Sequence, residues 1–350
     1  MTENPPVGWG GERVVTKYDG QTRTWMFVCV DSTALGPAAG GTRMRVYPGP
    51  AEALRDGLRL GHAMTLKNAV AGLPLGGGKA VLAVSELPTG EARRALLLRY
   101  ADLLESLGGV YWTASDMNTS PEDLDVIAER CSYVFGRSEA SGGSGDSAPA
   151  TAVGVFNGIR ASARHAFGSD DLDGRVVMVQ GVGGVGGNLV PLLTEAGAKV
   201  FVSDLIEERV REVSERHGAA GVPVDEAIAT ECDVFSPCAV GGIVSEESIP
   251  RMRTRVVAGA ANNQLATPED AGRLREAGIL FAPDFVINAG GIMHLAAIEK
   301  LGWSSEELAR GLQGIGETLL HVFSAAEATG ATTNAAAEAL ALQRIRGIDE

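Results

Sequence analysis

Two α/β domains in one chain of 350 residues is the fold class that the sequence predicts, and three observations predict it. The length suits two domains, each able to bury its own core. From about residue 148 onward, short β-branched runs alternate with helical stretches, the pattern of a parallel sheet with helices on both faces. One of those runs leads directly into a glycine-rich turn, VVMVQGVGGVGG, at 176–187.

The composition narrows the function classes. A net charge of −14 argues against nucleic acid or anionic membranes as partners. The start, MTENPPVGWGG, has no basic segment followed by an apolar stretch, so no secretory leader is expected. No apolar run reaches the roughly 18–20 residues that span a bilayer. Cys29, Cys131, Cys232 and Cys238 form no CxxC pair, and the five histidines show no ligand spacing. A reduced cytoplasmic protein without a metal is the expectation.

The elements follow in order. WMFVCV (25–30) is a β-type run, and GPAAGGTR (36–43) reads as a flexible turn. Leu54, Leu58, Gly61 and Ala63–Met64 give the stretch from Pro50 to about Gly72 a helical stripe. KAVLAV then reads as a strand, 90–107 as a helix and 110–113 as a strand. Ser120-Pro121-Glu122-Asp123 opens another helix, with serine to cap, proline at the first position and an acid at the third. SEASGGSGDSAPA (138–150) is the most linker-like stretch and marks the expected hinge. Beyond it come VVMVQ (176–180), KVFVSD (199–204), DVFSP (233–237), RVVAGA (255–260) and ILFAPD (279–284), then a mostly helical stretch from Ser304. The expected divisions are 1–147, 148–325 and a helical segment at 326–350 that packs back on the first domain.

Gly181-Val182-Gly183-Gly184-Val185-Gly186 matches G-x-G-x-x-G between a strand and a helix. The first glycine suits the tight turn, the second lets backbone N–H groups approach a pyrophosphate, and the third lets helix and strand pack closely. The anion then sits at the positive end of the helix dipole. Asp204 closes the next strand, where a carboxylate accepts hydrogen bonds from an adenosine ribose. It repels a 2′-phosphate, and no arginine follows before Arg209, so NAD is expected rather than NADP. Asn262, after VVAGAA, and Asn288, after FAPDFVI, read as polar strand ends in the same crevice, or as simple caps and turns.

A second glycine run, GLPLGGGKAVLA (72–83), raises the question of a nucleotide-hydrolase loop. That motif requires a glycine where Leu73 stands and a hydroxyl where Ala80 stands, and both tests fail. Lys79 therefore enters an apolar strand for another reason. Lys67 lies near a helix end, and Asp116 closes YWTASD. Each lysine alone reads as a surface charge. Should the three converge, one ammonium neutralises a substrate carboxylate, and the other, desolvated beside a like charge, becomes a base near neutral pH.

GPAAGGTR, MTLKNAVAGLPLGGGKAV, YWTASD, the Gly181–Gly186 turn, PCAVGG, AGAANNQLA and APDFVINAGG together resemble the glutamate/leucine/phenylalanine/valine dehydrogenase superfamily over nearly the whole chain. The likeness is nearest to phenylalanine dehydrogenases, with valine and leucine dehydrogenases close behind. It implies an N-terminal substrate and oligomerisation domain, a Rossmann NAD-binding domain, a cleft between them, and a homo-oligomer. It also implies reversible oxidative deamination of a hydrophobic L-amino acid to the 2-oxo acid and ammonia. By motif, Lys79 and Asp116 resemble the catalytic pair and Lys67 the carboxylate-binding lysine. Gly41 borders the substrate, Asn262 and Asn288 lie near nicotinamide ribose and substrate, and Thr151, Ala239, Ala260 and Ala261 border the cofactor.

Met64, Leu66, Ala114, Ile292 and Leu295 are the expected walls of the side-chain pocket. Ala114 and Ile292 point to aliphatic substrates, the overall likeness to phenylalanine. A non-catalytic NAD-responsive binding protein is the alternative of a different class.

Overall fold

The computed structural model describes residues 9–347. The first eight residues, over which no leader is expected, and the last three lie outside the described residues. Two compact units divide the chain. One runs to Asp146 and takes in Leu295–Gly302 and the chain from Ala341; the other comprises Ser147–His294 and Trp303–Leu340.

The first unit is built on a mixed five-stranded sheet. Its elements are β1 (Arg13–Asp19), β2 (Thr24–Ser32), β3 (Ala38–Val46), α1 (Pro50–Val70), β4 (Gly76–Val84), α2 (Gly90–Glu105), β5 (Tyr111–Ser115) and α3 (Pro121–Ala128). The strand order is β1-β2-β4-β3-β5. β4 runs antiparallel to β2 and parallel to β3, and β3 runs parallel to β5. Side chains alternate across a strand, so β4 sends Ala80 and Leu82 to a core shared with Leu96, Tyr100 and Leu124 of α2 and α3. Val81 goes to the other face, with Ala53 and Leu58 of α1. Ser120 caps α3 in a capping box with Asp123.

At the first unit's two glycine runs the backbone is extended and buried. GPAAGGTR is not a flexible turn: from Ala38 it is the first half of β3, and the residues from Ala38 to Thr42 are buried. Likewise Gly76, Gly77 and Gly78 are strand residues of β4, not a loop. Close packing explains both. A Cβ on Gly40 would stand 1.9 Å from the Gly78 carbonyl oxygen, and one on Gly77 would stand 2.0 Å from the Thr65 nitrogen of α1.

The second unit is a parallel sheet wound by helices. Its elements are α4 (Ala148–Phe167), β6 (Val176–Gln180), α5 (Gly184–Glu195), β7 (Lys199–Ser203), α6 (Glu207–His217), β8 (Ala220–Gly221), β9 (Val234–Pro237), β10 (Val256–Val257), α7 (Asp270–Glu276), β11 (Leu280–Phe281) and α8 (Asp284–Ile287). The helices α9 (Gly290–Ala296), α10 (Ser305–Thr329) and α11 (Thr333–Ile345) follow. The order β11-β10-β9-β6-β7-β8 is the doubly wound dinucleotide-binding arrangement, with its switch point between β6 and β9.

The C-terminal segment 326–350 is not one piece. α10 packs on α4 inside the second unit, where Ile315 and Leu319 close on Gly154 and Gly158, and that unit continues to Leu340. From Ala341 the chain belongs to the first unit, and Arg344 Nη1 donates to the carbonyls of Ala69 and Val70 at 3.1 and 2.5 Å. The 138–150 stretch is pinned rather than free. Ser138 Oγ donates to Asp125, and both the nitrogen and the hydroxyl of Ser144 donate to Glu299 Oε1. Among the described residues, no helix is long and apolar enough to cross a membrane.

Candidate active site

In the first unit the glycines and a lysine within the parallel strands β3 and β4 meet an aspartate just past the end of β5. Lys79, the fourth residue of β4, is only 5% exposed. Asp116 directly follows β5, and Lys79 Nζ lies 3.3 Å from its Oδ2. Arg43 of β3 donates through Nε to the same oxygen at 2.7 Å. Thr119 fixes the turn beyond: its hydroxyl accepts from the Asp116 nitrogen at 2.8 Å and donates to the Thr42 carbonyl at 2.8 Å.

The charges follow from this packing. Burial pushes the Lys79 amine below its ordinary value; Asp116 opposes that shift and Arg43 adds to it. Burial alone would raise the Asp116 carboxyl, but Lys79 and Arg43 together hold it below the usual carboxylate range. One anion shared by two cations stays ionised and leaves the lysine incompletely compensated.

Gly41 lies against this pair, since a Cβ there would stand 2.8 Å from the Asp116 Cβ. It pairs in register with Ala114, which is buried. Met64 of α1 reaches the same strand, its Cγ 3.3 Å from a Cβ placed on Gly40. Lys67 sits half-buried in the last turn of α1, two residues past Thr65, and Leu66 is buried beside it. Leu295 groups with this unit and packs on Gly136, whereas Ile292 groups with the second unit.

Arg43 was not singled out by sequence reasoning. Two positions beyond Gly41 on a strand means the same face, but that periodicity is invisible once the segment is read as a turn.

In the second unit the glycine turn has the shape of an anion cradle. Gly181 takes a φ of +92°, and a Cβ there would stand 2.6 Å from Ala239 Cβ. Gly186 admits no side chain, since a Cβ there would stand 1.9 Å from the Gly181 carbonyl oxygen. A Cβ on Gly183 would meet nothing nearer than Arg209 Nη1 at 3.8 Å, so the space before the N-terminus of α5 is open. Gly184 and Val185 form the first turn of that helix.

Asp204 braces the turn. Its Oδ2 accepts from the Val182 nitrogen and its Oδ1 from the Ile206 nitrogen, both at 2.9 Å. Arg209, set aside above as distant in sequence, is carried by α6 to 3.9 Å from Asp204 Oδ1. Thr151 is nearly buried in the first turn of α4 and donates to the Ser147 carbonyl at 2.9 Å.

Asn262 follows β10 and is exposed, beside buried Ala260 and Ala261. Asn288 is not a strand end as expected: it follows the short helix α8. Its amide donates to the Ala260 carbonyl at 3.0 Å and to Asn262 Oδ1 at 2.8 Å, while its own Oδ1 is buried without a hydrogen bond. An open glycine cradle, a carboxylate just past the end of β7 and an orphaned amide oxygen fit a dinucleotide.

A doubly wound dinucleotide domain and a second domain carrying a buried lysine–aspartate pair define a nicotinamide-dependent oxidoreductase class. Comparison with known proteins agrees. A family model described as Glu/Leu/Phe/Val dehydrogenase, dimerisation domain, matches residues 14–133. A second, described as Glutamate/Leucine/Phenylalanine/Valine dehydrogenase, matches 142–205 and 201–349. Leucine dehydrogenase from Thermoactinomyces intermedius is 42% identical over 334 residues, 95% of this chain and 90% of that one. Valine dehydrogenase from Streptomyces virginiae is 43% identical over 339 residues, 96% and 94% of the two chains. Among solved structures, L-tryptophan dehydrogenase from Nostoc punctiforme superposes with a TM-score of 0.85 at 37% identity, covering 97% of each chain.

The chain belongs to the glutamate/leucine/phenylalanine/valine dehydrogenase family. It is an NAD-dependent amino acid dehydrogenase that catalyses oxidative deamination.

Proposed function

We propose that the enzyme deaminates branched-chain aliphatic L-amino acids, with Lys67 holding the substrate carboxylate and Lys79 and Asp116 moving protons. The observation that carries this reading is Lys79 itself, almost fully buried on a glycine strand and 3.3 Å from Asp116. The net reaction converts amino acid, NAD and water into 2-oxo acid, ammonium, NADH and a proton. Bound NAD supplies the hydride acceptor for the substrate Cα, and its holders are the Gly181–Gly186 turn, Asp204, Thr151, Ala239, Ala260, Ala261 and Asn262.

The protein's residues do the rest. Asp116, ionised, takes a proton from the substrate ammonium so that Cα can release hydride. Lys79, uncharged once deprotonated, takes a proton from the water that attacks the resulting iminium carbon. Lys79 passes that proton to solvent, and Asp116 then returns its own to the departing amine. Lys79 takes the carbinolamine hydroxyl proton as the carbonyl forms and hands it to the leaving ammonia, so that ammonium and one free proton are released.

Aliphatic specificity is supported by buried Ala114 in register with Gly41, by half-buried Met64 against Gly40, and by leucine and valine dehydrogenases among the relatives. One methylene in such a pocket is worth only ~1–3 kcal/mol, so activity on neighbouring side chains is graded rather than absent. NADH formation measured over leucine, isoleucine, valine, phenylalanine, tryptophan and glutamate tests the reading. Highest kcat/KM on a branched aliphatic substrate supports it, and preference for an aromatic or acidic one refutes it.

The enzyme is also proposed to be a cytoplasmic homo-oligomer. β1 is an edge strand, and Tyr18 and Trp25 are exposed on β1 and β2, a surface suited to a second copy. The family model over this region is described as a dimerisation domain.

A further inference from the structure

We propose that Arg43, anchored by Asp56, is the positioning residue that holds the Asp116 carboxylate against Lys79. The inference rests on the catalytic reading of Lys79 and Asp116, and it assigns work to two residues outside that pair.

The geometry is a chain of ion pairs running from the lysine to the surface. Lys79 Nζ and Arg43 Nε share Asp116 Oδ2, at 3.3 and 2.7 Å. The far end of the same guanidinium, Nη1, meets Asp56 Oδ2 at 3.0 Å. Asp56 is held in turn by the Tyr47 hydroxyl at 2.7 Å and by Arg59 Nη2 at 2.9 Å. Arg43 and Asp56 side chains are each 14% exposed, so water screens them weakly. A planar guanidinium can bond two carboxylates at fixed angles, which an ammonium cannot.

Two consequences follow. Asp116 lies just beyond the end of β5 on a turn, and Arg43 ties it to the middle of β3. Arg43 also places a permanent positive charge near Lys79, which disfavours the protonated amine. Other titratable groups sit on the elements packed against β4: on β2, Cys29 pairs in register with Lys79, and burial pushes its thiol up to about 12. α1, which packs on β4, carries Asp56 and Lys67, and β2 carries Asp31, engaged by Thr65 at 2.6 Å and by His62 at 3.3 Å.

Arg43→Gln removes the charge and one tether; Arg43→Lys keeps the charge but cannot span both carboxylates. Asp56→Asn keeps Arg43 but removes its anchor and one negative charge. The experiment is the pH profile of kcat/KM for the best amino-acid substrate, with NAD affinity of the free proteins measured by calorimetry.

Arg43→Gln is expected to lower kcat about 10²-fold and to move the acid limb of the profile to higher pH, because Lys79 gains proton affinity. Asp56→Asn is expected to lower kcat less and to move that limb the opposite way. Arg43→Lys is expected to lower kcat with the limb unmoved. NAD affinity stays at the parent value in all three. Limbs that coincide with the parent in both Arg43→Gln and Asp56→Asn overturn the proposal, as does an Arg43→Lys enzyme with parental kcat. If Arg43→Gln does not fold, the Asp56→Asn and Arg43→Lys arms decide alone. Lys79→Ala separates the two levels: retained turnover there sinks the catalytic reading, whereas parental Arg43 and Asp56 variants beside an inactive Lys79→Ala sink only this inference.

Discussion

Both units carry glycine runs beside their functional residues, yet the runs do opposite things. In the first unit Gly40, Gly41, Gly76, Gly77 and Gly78 lie inside strands at negative φ and are buried. They remove side chains so that α1, β3 and β4 can close on one another around Lys79. In the second unit Gly181 makes a turn at φ +92° and Gly183 opens a space in front of a helix. One run excludes volume to bury a charge; the other creates volume to admit one. A glycine-rich stretch is therefore not by itself a loop, and its meaning depends on what a Cβ would strike.

The largest expected effect breaks the comparison at its chemical end. Lys79→Ala should lower turnover by roughly 10³-fold or more, within the range of general acid–base catalysis, with NAD affinity measured by calorimetry unchanged. Equal loss of both would mean that Lys79 supports the fold rather than the reaction.

Single alanines in the two runs come next. Gly77→Ala puts a Cβ 2.0 Å from the Thr65 backbone, and overpacking of this kind costs about 1–3 kcal/mol or more. Chemical denaturation should show that loss without any change in NAD affinity. Gly183→Ala meets nothing nearer than Arg209 Nη1 at 3.8 Å, so it should leave stability unchanged and weaken NAD binding by about tenfold, or ~1.4 kcal/mol. The opposite pattern, a stable Gly77→Ala or an unstable Gly183→Ala, would break the contrast.

Burial of Lys79 also sets a stability sign. Its folded pKa is lowered below the ordinary 10.5, so the unfolded chain binds the proton more tightly. The native state is then penalised in full below the lowered value, and the penalty fades as pH rises toward 10.5. Lys79→Met should therefore melt at a higher temperature than the parent at neutral pH, and the gap should narrow in alkaline buffer. A gap that widens with pH contradicts this.

The smallest effects serve as controls. Ser120→Ala and Ser304→Ala each remove one capping box, in the first and second unit respectively. Each should cost ~1 kcal/mol and leave kcat within twofold of the parent.

Much of this was legible in the residues, and unevenly so. The second unit announced itself because strand, glycine turn, helix, strand and Asp204 are local in sequence, and each step limits the next. Lys79 and Asp116 were legible as candidates, but their meeting depends on the β4-β3-β5 order, which brings distant segments together and leaves no local trace. Arg43 was hidden by one error, the reading of Ala38–Thr42 as a turn, because glycine frequency was weighed as freedom rather than as close approach. Arg209 was dismissed by counting residues, although one helical turn of α6 brings it back to Asp204.

The central claim is that Lys79 is buried with its proton affinity lowered. The chain has only five lysines, so isotope-labelled side-chain NMR through a pH titration can resolve each amine. One resonance, absent from Lys79→Ala, should titrate below the ordinary lysine value and move upward in Arg43→Gln. Five amines titrating together near 10.5 would contradict the account.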